Sequence, residues 1–291
     1  MTPPFRDPAE APPAASRPAA SKSRQAAQPA RAAPSGAPPQ APTPEAAAAL
    51  AWLHGARFLT TASRLEQLPG GELPEIAFVG RSNAGKSSAI NRLTQQRRLA
   101  FASRTPGRTQ HINLFELGPR DAPDVLLADL PGYGYAAVAR SAKLRWQEVM
   151  AQYLELRRPL HGLVLLVDSR LGLTELDRRL LALVAPRVVT GELRLLVLLT
   201  KADKLNRSER QRALQAAQDE LGTLAGHSAD IGVSTFSTLS GEGVADVAEA
   251  LRGWIKPEAA EGLGAAESAV PAEAGPAVAA TPAAAADQPE P

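Results

Sequence analysis

The chain has no cysteine among its 291 residues, so neither a disulfide framework nor a thiolate metal site is open to it. Histidines number only four, and His54, His111, His161 and His227 stand too far apart for the spacing of a zinc site. No apolar run approaches the roughly 20 residues that span a bilayer. The N-terminus also lacks the continuous apolar segment of a secretory signal. Together these absences lead us to expect a cytoplasmic protein with no stable membrane insertion.

The two ends lack what a core needs. Of 26 prolines, 12 fall in residues 1–44 and 6 in residues 257–291, amid Ala, Ser, Gln and Glu. Such segments hold too little apolar bulk to offset the entropy of ordering, and both are expected to be disordered. Residues 258–291 carry six acidic and no basic side chains, and residues 1–44 carry five basic and two acidic. The net charge of +2 therefore leaves the middle mildly basic, which permits a nucleic-acid partner without requiring one. Residues 45–256 remain as one domain, long enough for a sizeable core.

Within that domain apolar strand candidates (75–79, 112–117, 124–129, 162–168, 193–199, 231–237) alternate with helical patterns (86–95, 141–156, 174–185, 208–222, 243–254). Residues 45–57 read as a further short helix. This alternation predicts a three-layer α/β fold, a sheet of about six mostly parallel strands with helices on both faces. The link 118–123 is too short for a crossover helix, so 112–117 and 124–129 must form an antiparallel hairpin. Ligands of such sheets bind outside the carboxyl ends of the strands.

Every chemistry-bearing motif falls at those ends. Gly80-Arg81-Ser82-Asn83-Ala84-Gly85-Lys86-Ser87 matches G-x-x-x-x-G-K-[ST], the loop whose backbone amides wrap nucleotide phosphates. Lys86 would reach the β- and γ-phosphates and the Ser87 hydroxyl would ligate Mg²⁺. Asp129-Leu130-Pro131-Gly132 is a D-x-x-G in which the carboxylate can hold Mg²⁺ through water and Gly132 offers an amide to the γ-phosphate. Alone it is an ordinary turn; its weight comes from following Lys86 at the end of an apolar run. Thr200-Lys201-Ala202-Asp203 is similar to the guanine-reading N-K-x-D, with threonine in the asparagine position. Asp203 can accept both the N1–H and the exocyclic amine of guanine, donors that adenine lacks. Phe236-Ser237-Thr238 then stands where a second backbone contact to the base belongs. Between the first helix and the hairpin, Thr105 and Thr109 are both candidates for a switch threonine on Mg²⁺.

Taken together, Gly80–Ser88, Thr105-Pro-Gly-Arg-Thr-Gln110, Asp129-Leu-Pro-Gly-Tyr-Gly134 and Thr200–Asp203 resemble the EngB (YsxC) family of bacterial GTP-binding proteins, within the TrmE-Era-EngA-EngB-septin-like GTPases. The resemblance covers residues 55–256. It implies a P-loop G domain and a Mg²⁺-dependent GTPase, monomeric, acting in assembly of the large ribosomal subunit or on its rRNA and needed for cell division and septation. It implies magnesium ligands at Ser87 and Thr109, and so favours Thr109 over Thr105. It places nucleotide contacts at Gly80–Ser87, at Gly107, Arg108, Thr109, Gln110 and His111, at Asp129–Gly132, at Thr200–Asp203 and at Phe236–Thr238. Lys86, Thr109 and Gly132 would carry the chemistry. The family shares the threonine at Thr200.

The residue after D-x-x-G often supplies a glutamine that orients the attacking water. Here it is Tyr133, which has no amide, so intrinsic turnover is expected to be slow. Asn83 stands where potassium-activated GTPases carry asparagine, making K⁺ a second candidate cofactor; alternatively its side chain shapes the loop through local backbone bonds. Two other function classes compete. A P-loop phosphotransferase is opposed by Asp203 and by the lack of a lid domain, whereas a weakly hydrolysing scaffold recruited to the septum is kept alive by Tyr133. Arg97, Arg98, Arg104 and Arg108, with Arg140, Lys143 and Arg145, form two basic clusters at the switches, suited to an RNA backbone. Trp146, in step with Val149, Met150, Tyr153 and Leu154, reads as core.

Overall fold

The computed structural model describes residues 42–100, 111–134, 140–224 and 229–255, and for residues 140–147 only the course of the backbone. Arg104, Thr105, Gly107, Arg108, Thr109 and Gln110 lie outside the described residues, as do residues 1–41 and 256–291 and the side chains of Arg140, Lys143, Arg145 and Trp146.

Thr43 starts helix α1 (Pro44–His54) by accepting the amide of Ala46 at 3.1 Å, and Pro44 occupies a first-turn position where it has no helical hydrogen bond to lose. The chain then turns at once into strand β1 (Arg57–Ala62), whereas the sequence suggests a helix running to residue 57 and no strand after it. A bulge hides this strand. Phe58 pairs with Phe115 and Thr60 with Leu114, leaving Leu59 as an extra residue. That insertion breaks the period-2 alternation by which a half-buried strand is recognised.

Strands β2 (Glu75–Gly80), β3 (Ile112–Leu117), β4 (Val125–Asp129), β5 (Leu160–Asp168), β6 (Arg194–Thr200) and β7 (Ile231–Phe236) join β1 in one seven-stranded sheet, ordered β1-β3-β4-β2-β5-β6-β7. The sheet thus has one strand more than the sequence suggests. β3 pairs antiparallel with both β1 and β4, and every other pair is parallel. Hence β3 alone runs against the rest, as the short link to β4 requires. Gly118 makes that turn with φ 97°, and a Cβ there would lie 2.7 Å from the Asp124 side chain and amide.

Central β2 is buried along its whole length and shows why the layers form. Ile76 and Phe78 face one side and pack with α1, α2 (Lys86–Leu93) and α6 (Val244–Ile255). Ala77 and Val79 face the other and pack with α3 (Arg140–Leu156), α4 (Glu175–Val189) and α5 (Arg207–Gly222). α4 continues past Pro186, where the sequence pattern stops it. Val188 in the last turn is buried, and Arg187 donates to Leu154 O and Leu160 O, each at 2.9 Å. These contacts outweigh the one amide that proline removes.

The opposite end of the sheet carries a buried ion pair. Glu75, fully buried, accepts Tyr153 Oη at 2.8 Å and Arg157 Nη2 at 2.5 Å. Burial first, then the Glu75 charge, pushes the Tyr153 hydroxyl far above its ordinary pKa, so it stays a donor. Arg157→Ala would strand this carboxylate, which typically costs about 3–5 kcal/mol. A urea midpoint lowered accordingly, with unchanged slope, is the expected result.

Parallel register brings the strand ends together on the other edge. Phe78 is level with Asp129, Gly80 with Leu166, Asp168 with Thr200, and Thr200 with Phe236. Each site motif leaves the sheet from this edge.

Candidate functional site

Gly80 ends β2 beneath Leu166 O, where a Cβ would come within 2.6 Å, so only glycine lets the loop leave the sheet here. Asn83 (φ 68°) and Gly85 (φ 97°) then take left-handed conformations, and α2 begins at Lys86. This curl ends on the N-terminus of α2, and alternating left-handed turns before a helix start are the arrangement that receives phosphate. A non-glycine residue held at positive φ, as Asn83 is, persists only where its surroundings enforce it.

Beneath the loop, buried Lys86 is ion-paired with Asp129 Oδ1 from β4. The second carboxylate oxygen, Oδ2, is buried and has no hydrogen-bond partner among the described residues. A buried charged acceptor without a donor is costly. This one belongs to the carboxylate that Lys86 holds, and Ser87 follows Lys86 in the first turn of α2; a carboxylate and a hydroxyl are oxygen ligands of the kind a hydrated divalent cation takes.

The D-x-x-G segment folds onto the phosphate loop. Leu130 and Pro131 are buried, so they contribute backbone rather than side-chain chemistry. Leu130 N donates to Phe78 O (3.0 Å), Tyr133 N to Gly80 O (3.3 Å), and Ser82 N to Tyr133 O (2.8 Å). Ser82 backbone atoms stand 3.1 Å from where a Gly132 Cβ would be. Tyr133 is committed elsewhere by its side chain. It is buried, and its hydroxyl donates to Asp177 Oδ1 in the first turn of α4.

Thr200, at the end of β6, takes a structural part. Its hydroxyl lies 2.6 Å from Ala84 O and 3.0 Å from Val167 O, tying the phosphate loop to two strands. A threonine in the asparagine position thus fastens the loop directly. Thr200→Val keeps the shape but removes the one proton that the two buried carbonyls share, a loss of about 1–3 kcal/mol. A lower melting temperature together with weaker nucleotide binding is expected.

Lys201 follows in a left-handed turn (φ 59°), and its Nζ reaches both Asn83 O and Asp168 Oδ2 at 2.8 Å. Asp203 accepts Ser237 Oγ at 2.7 Å. Ser237, fully buried after β7, in turn accepts the amides of Leu239 and Ser240 at 3.2 Å. The Ser237 hydroxyl, aided by Lys204, holds the Asp203 carboxyl below its ordinary pKa. Phe236 is buried in the core beside this loop, and Thr238 is half-buried. Ala202 is buried and packs the turn between Lys201 and Asp203.

Asp168 and Arg170 escape a reading of the sequence. Arg170 Nε and Nη2 grip Asp168 at 2.9 and 2.7 Å. That guanidinium first, and Lys201 after it, holds Asp168 well below the usual carboxylate range against the opposing effect of burial. The pair borders a cleft of about 200 Å³ between the phosphate loop and the β5–α4 turn, lined also by Arg81, Asn83, Leu171 and Lys201. The sequence offers only an aspartate closing an apolar strand; its place level with Thr200 comes from the pairing of β5 with β6. His111, expected at the nucleotide, has Nδ1 2.8 Å from Ser63 Oγ, after β1. Of the expected site residues, Gly80–Ser87, Asp129–Gly132, Thr200–Asp203 and Phe236–Thr238 share the one edge; Gly107, Arg108, Thr109 and Gln110 lie outside the described residues.

A profile of the family described as "50S ribosome-binding GTPase" matches residues 75–201. The chain is 60% identical over 208 residues to the probable GTP-binding protein EngB of Acidovorax ebreus, covering 72% of this chain and 92% of that one. To its Burkholderia pseudomallei counterpart the identity is 49% over 211 residues, covering 72% and 94%. Among solved structures the fold is similar to Era in complex with MgGDPNP and nucleotides 1506–1542 of 16S ribosomal RNA (TM-score 0.50, 18% identity, 64% of this chain and 58% of that one).

Proposed function

The chain belongs to the EngB family of GTP-binding proteins, and on that premise we propose that it is a Mg²⁺-dependent GTPase switch acting in assembly of the large ribosomal subunit. The observation that carries the guanine reading is the Lys201 bridge. One ammonium joins Asn83 of the phosphate loop to the turn bearing Asp203, so base and phosphates are addressed by one rigid unit. Asp203 selects guanine, and Lys86 is stationed to leave Asp129 for the β- and γ-phosphates. Ser87 and Thr109 would ligate Mg²⁺, with Asp129 Oδ2 accepting from its water shell; the ion would neutralise charge developing on the phosphates. Gly132 offers its amide to the γ-phosphate, and loss of that phosphate would release the loop beyond it. K⁺ beside Asn83 is part of the proposal.

The ribosomal assignment is supported by the matched family's description, which speaks of 50S ribosome binding. The cell-division role rests on the family resemblance, and a cytoplasmic location on the composition of the sequence; among the described residues no helix is long and apolar enough to cross a membrane. Co-sedimentation with large ribosomal subunits is the test. Binding with a GTP analogue and release with GDP supports the switch, whereas equal recovery in both states contradicts it. One observation favours a second reading, a weakly hydrolysing scaffold at the septum: the Tyr133 hydroxyl is committed to Asp177 and supplies nothing to orient water. Single-turnover hydrolysis without detectable acceleration by ribosomal subunits or K⁺ would favour the scaffold.

A further inference from the structure

Tyr133 is the first residue after the amide proposed to sense the γ-phosphate, and it is the most firmly held residue of that segment. Its backbone pairs with the phosphate loop in both directions, through Gly80 O and the Ser82 amide, and forms a parallel bridge with Arg81. Its ring is buried, with the hydroxyl on Asp177. Asp177 is itself fixed. It is 1% exposed, and its other oxygen accepts Thr174 N at 2.7 Å and Thr174 Oγ1 at 2.5 Å, which closes a capping box on α4. Gly134 follows with φ 79°, a left-handed turn that glycine takes without strain. The D-x-x-G loop therefore has a fixed post at Tyr133, immediately after Gly132.

We propose that Tyr133 and Asp177 are positioning residues for γ-phosphate recognition, anchoring Gly132 through α4 so that its amide is already in place when GTP arrives. This inference rests on the GTPase reading above. A donor held in advance loses no ordering entropy on contact, so the anchor favours the triphosphate over the diphosphate. GDP has no group at Gly132, and its affinity does not depend on the anchor. Burial chiefly, and the neighbouring Asp177 charge, keep the Tyr133 hydroxyl protonated throughout the range in which proteins are studied.

The test uses the full chain with Tyr133→Phe, which keeps the ring and removes the hydroxyl. Dissociation constants for GDP and for a non-hydrolysable GTP analogue are measured with Mg²⁺, beside the melting temperature. The expected result is a GDP constant within twofold of wild type and a GTP-analogue constant raised about five- to tenfold, the scale of one lost hydrogen bond. Asp177→Ala removes the acceptor instead, and should change the ratio of the two constants by the same factor. The double variant should add nothing further, as expected of one coupled unit. A lowered melting temperature with the wild-type ratio preserved in Tyr133→Phe would mean that the pair only holds α4 in place, and would overturn the inference. Failure of the wild type to bind GDP would overturn the GTPase reading, and this inference with it.

Discussion

Replacing Asp203 by asparagine is expected to weaken GDP binding by about 100- to 10,000-fold and to create affinity for xanthosine diphosphate. The range follows from two hydrogen bonds to a charged acceptor, each about 1.5–3 kcal/mol, at 1.4 kcal/mol per tenfold. The environment allows the substitution without local collapse. Asparagine keeps an oxygen for the Ser237 hydroxyl that Asp203 now accepts at 2.7 Å, so the turn retains its anchor. What changes is the outer face, where an acceptor becomes an amide donor that suits the 2-oxygen of xanthine and repels the 2-amine of guanine. In the wild type the depressed pKa of Asp203 keeps the acceptor ionised as pH falls into the ordinary carboxylate range. GDP affinity should therefore hold on mild acidification and fail only at lower pH. Displacement of a fluorescent nucleotide by each diphosphate measures both effects.

The second large effect concerns Lys86. Its ammonium is the partner of the buried Asp129 carboxylate, whose other oxygen has no donor among the described residues. Lys86→Ala should lower GTP affinity by about 100-fold or more, since contacts to charged phosphate are worth about 1.5–3 kcal/mol each. It should also destabilise the nucleotide-free protein, because removing one member of a buried pair costs about 3–5 kcal/mol. The two losses separate in the double variant Lys86→Ala/Asp129→Ala. Without a stranded charge most of the stability should return, while GTP binding should stay lost. A double variant as unstable as the single one would show that the pair is not the source of the destabilisation.

The parts of the fold that the sequence reveals are those governed by local rules. Fully buried β2 and β5, buried from Gly162 onward, read as apolar runs, the six-residue link 118–123 fixes β3 against β4, and Gly80, Gly85 and Lys86 define the phosphate loop by spacing. The parts that it conceals depend on contacts distant in the chain. β1 is masked because Leu59 bulges out of register against β3. The last turn of α4 survives Pro186 because Arg187 is held by carbonyls of α3 and β5. In the site the same division holds. Asp203 and Lys201 are legible as types at a spacing, but the Thr200 hydroxyl finds its acceptor 116 residues away at Ala84. Likewise no local pattern directs Tyr133 toward Asp177, 44 residues on. Asp168 and Arg170 carry no motif at all, and their part emerges only when β5 and β6 lie level.

All of these readings presuppose a guanine-selective pocket, and calorimetric titration of the nucleotide-free protein with GDP and with ADP, each with Mg²⁺, tests that most directly. In the proposed site Asp203 would accept two donors that adenine lacks, so GDP should bind at least about 100-fold more tightly than ADP. Equal affinity for the two would contradict the account at its base, because the turn that holds Asp203 against Ser237 would then have no part in choosing the nucleotide.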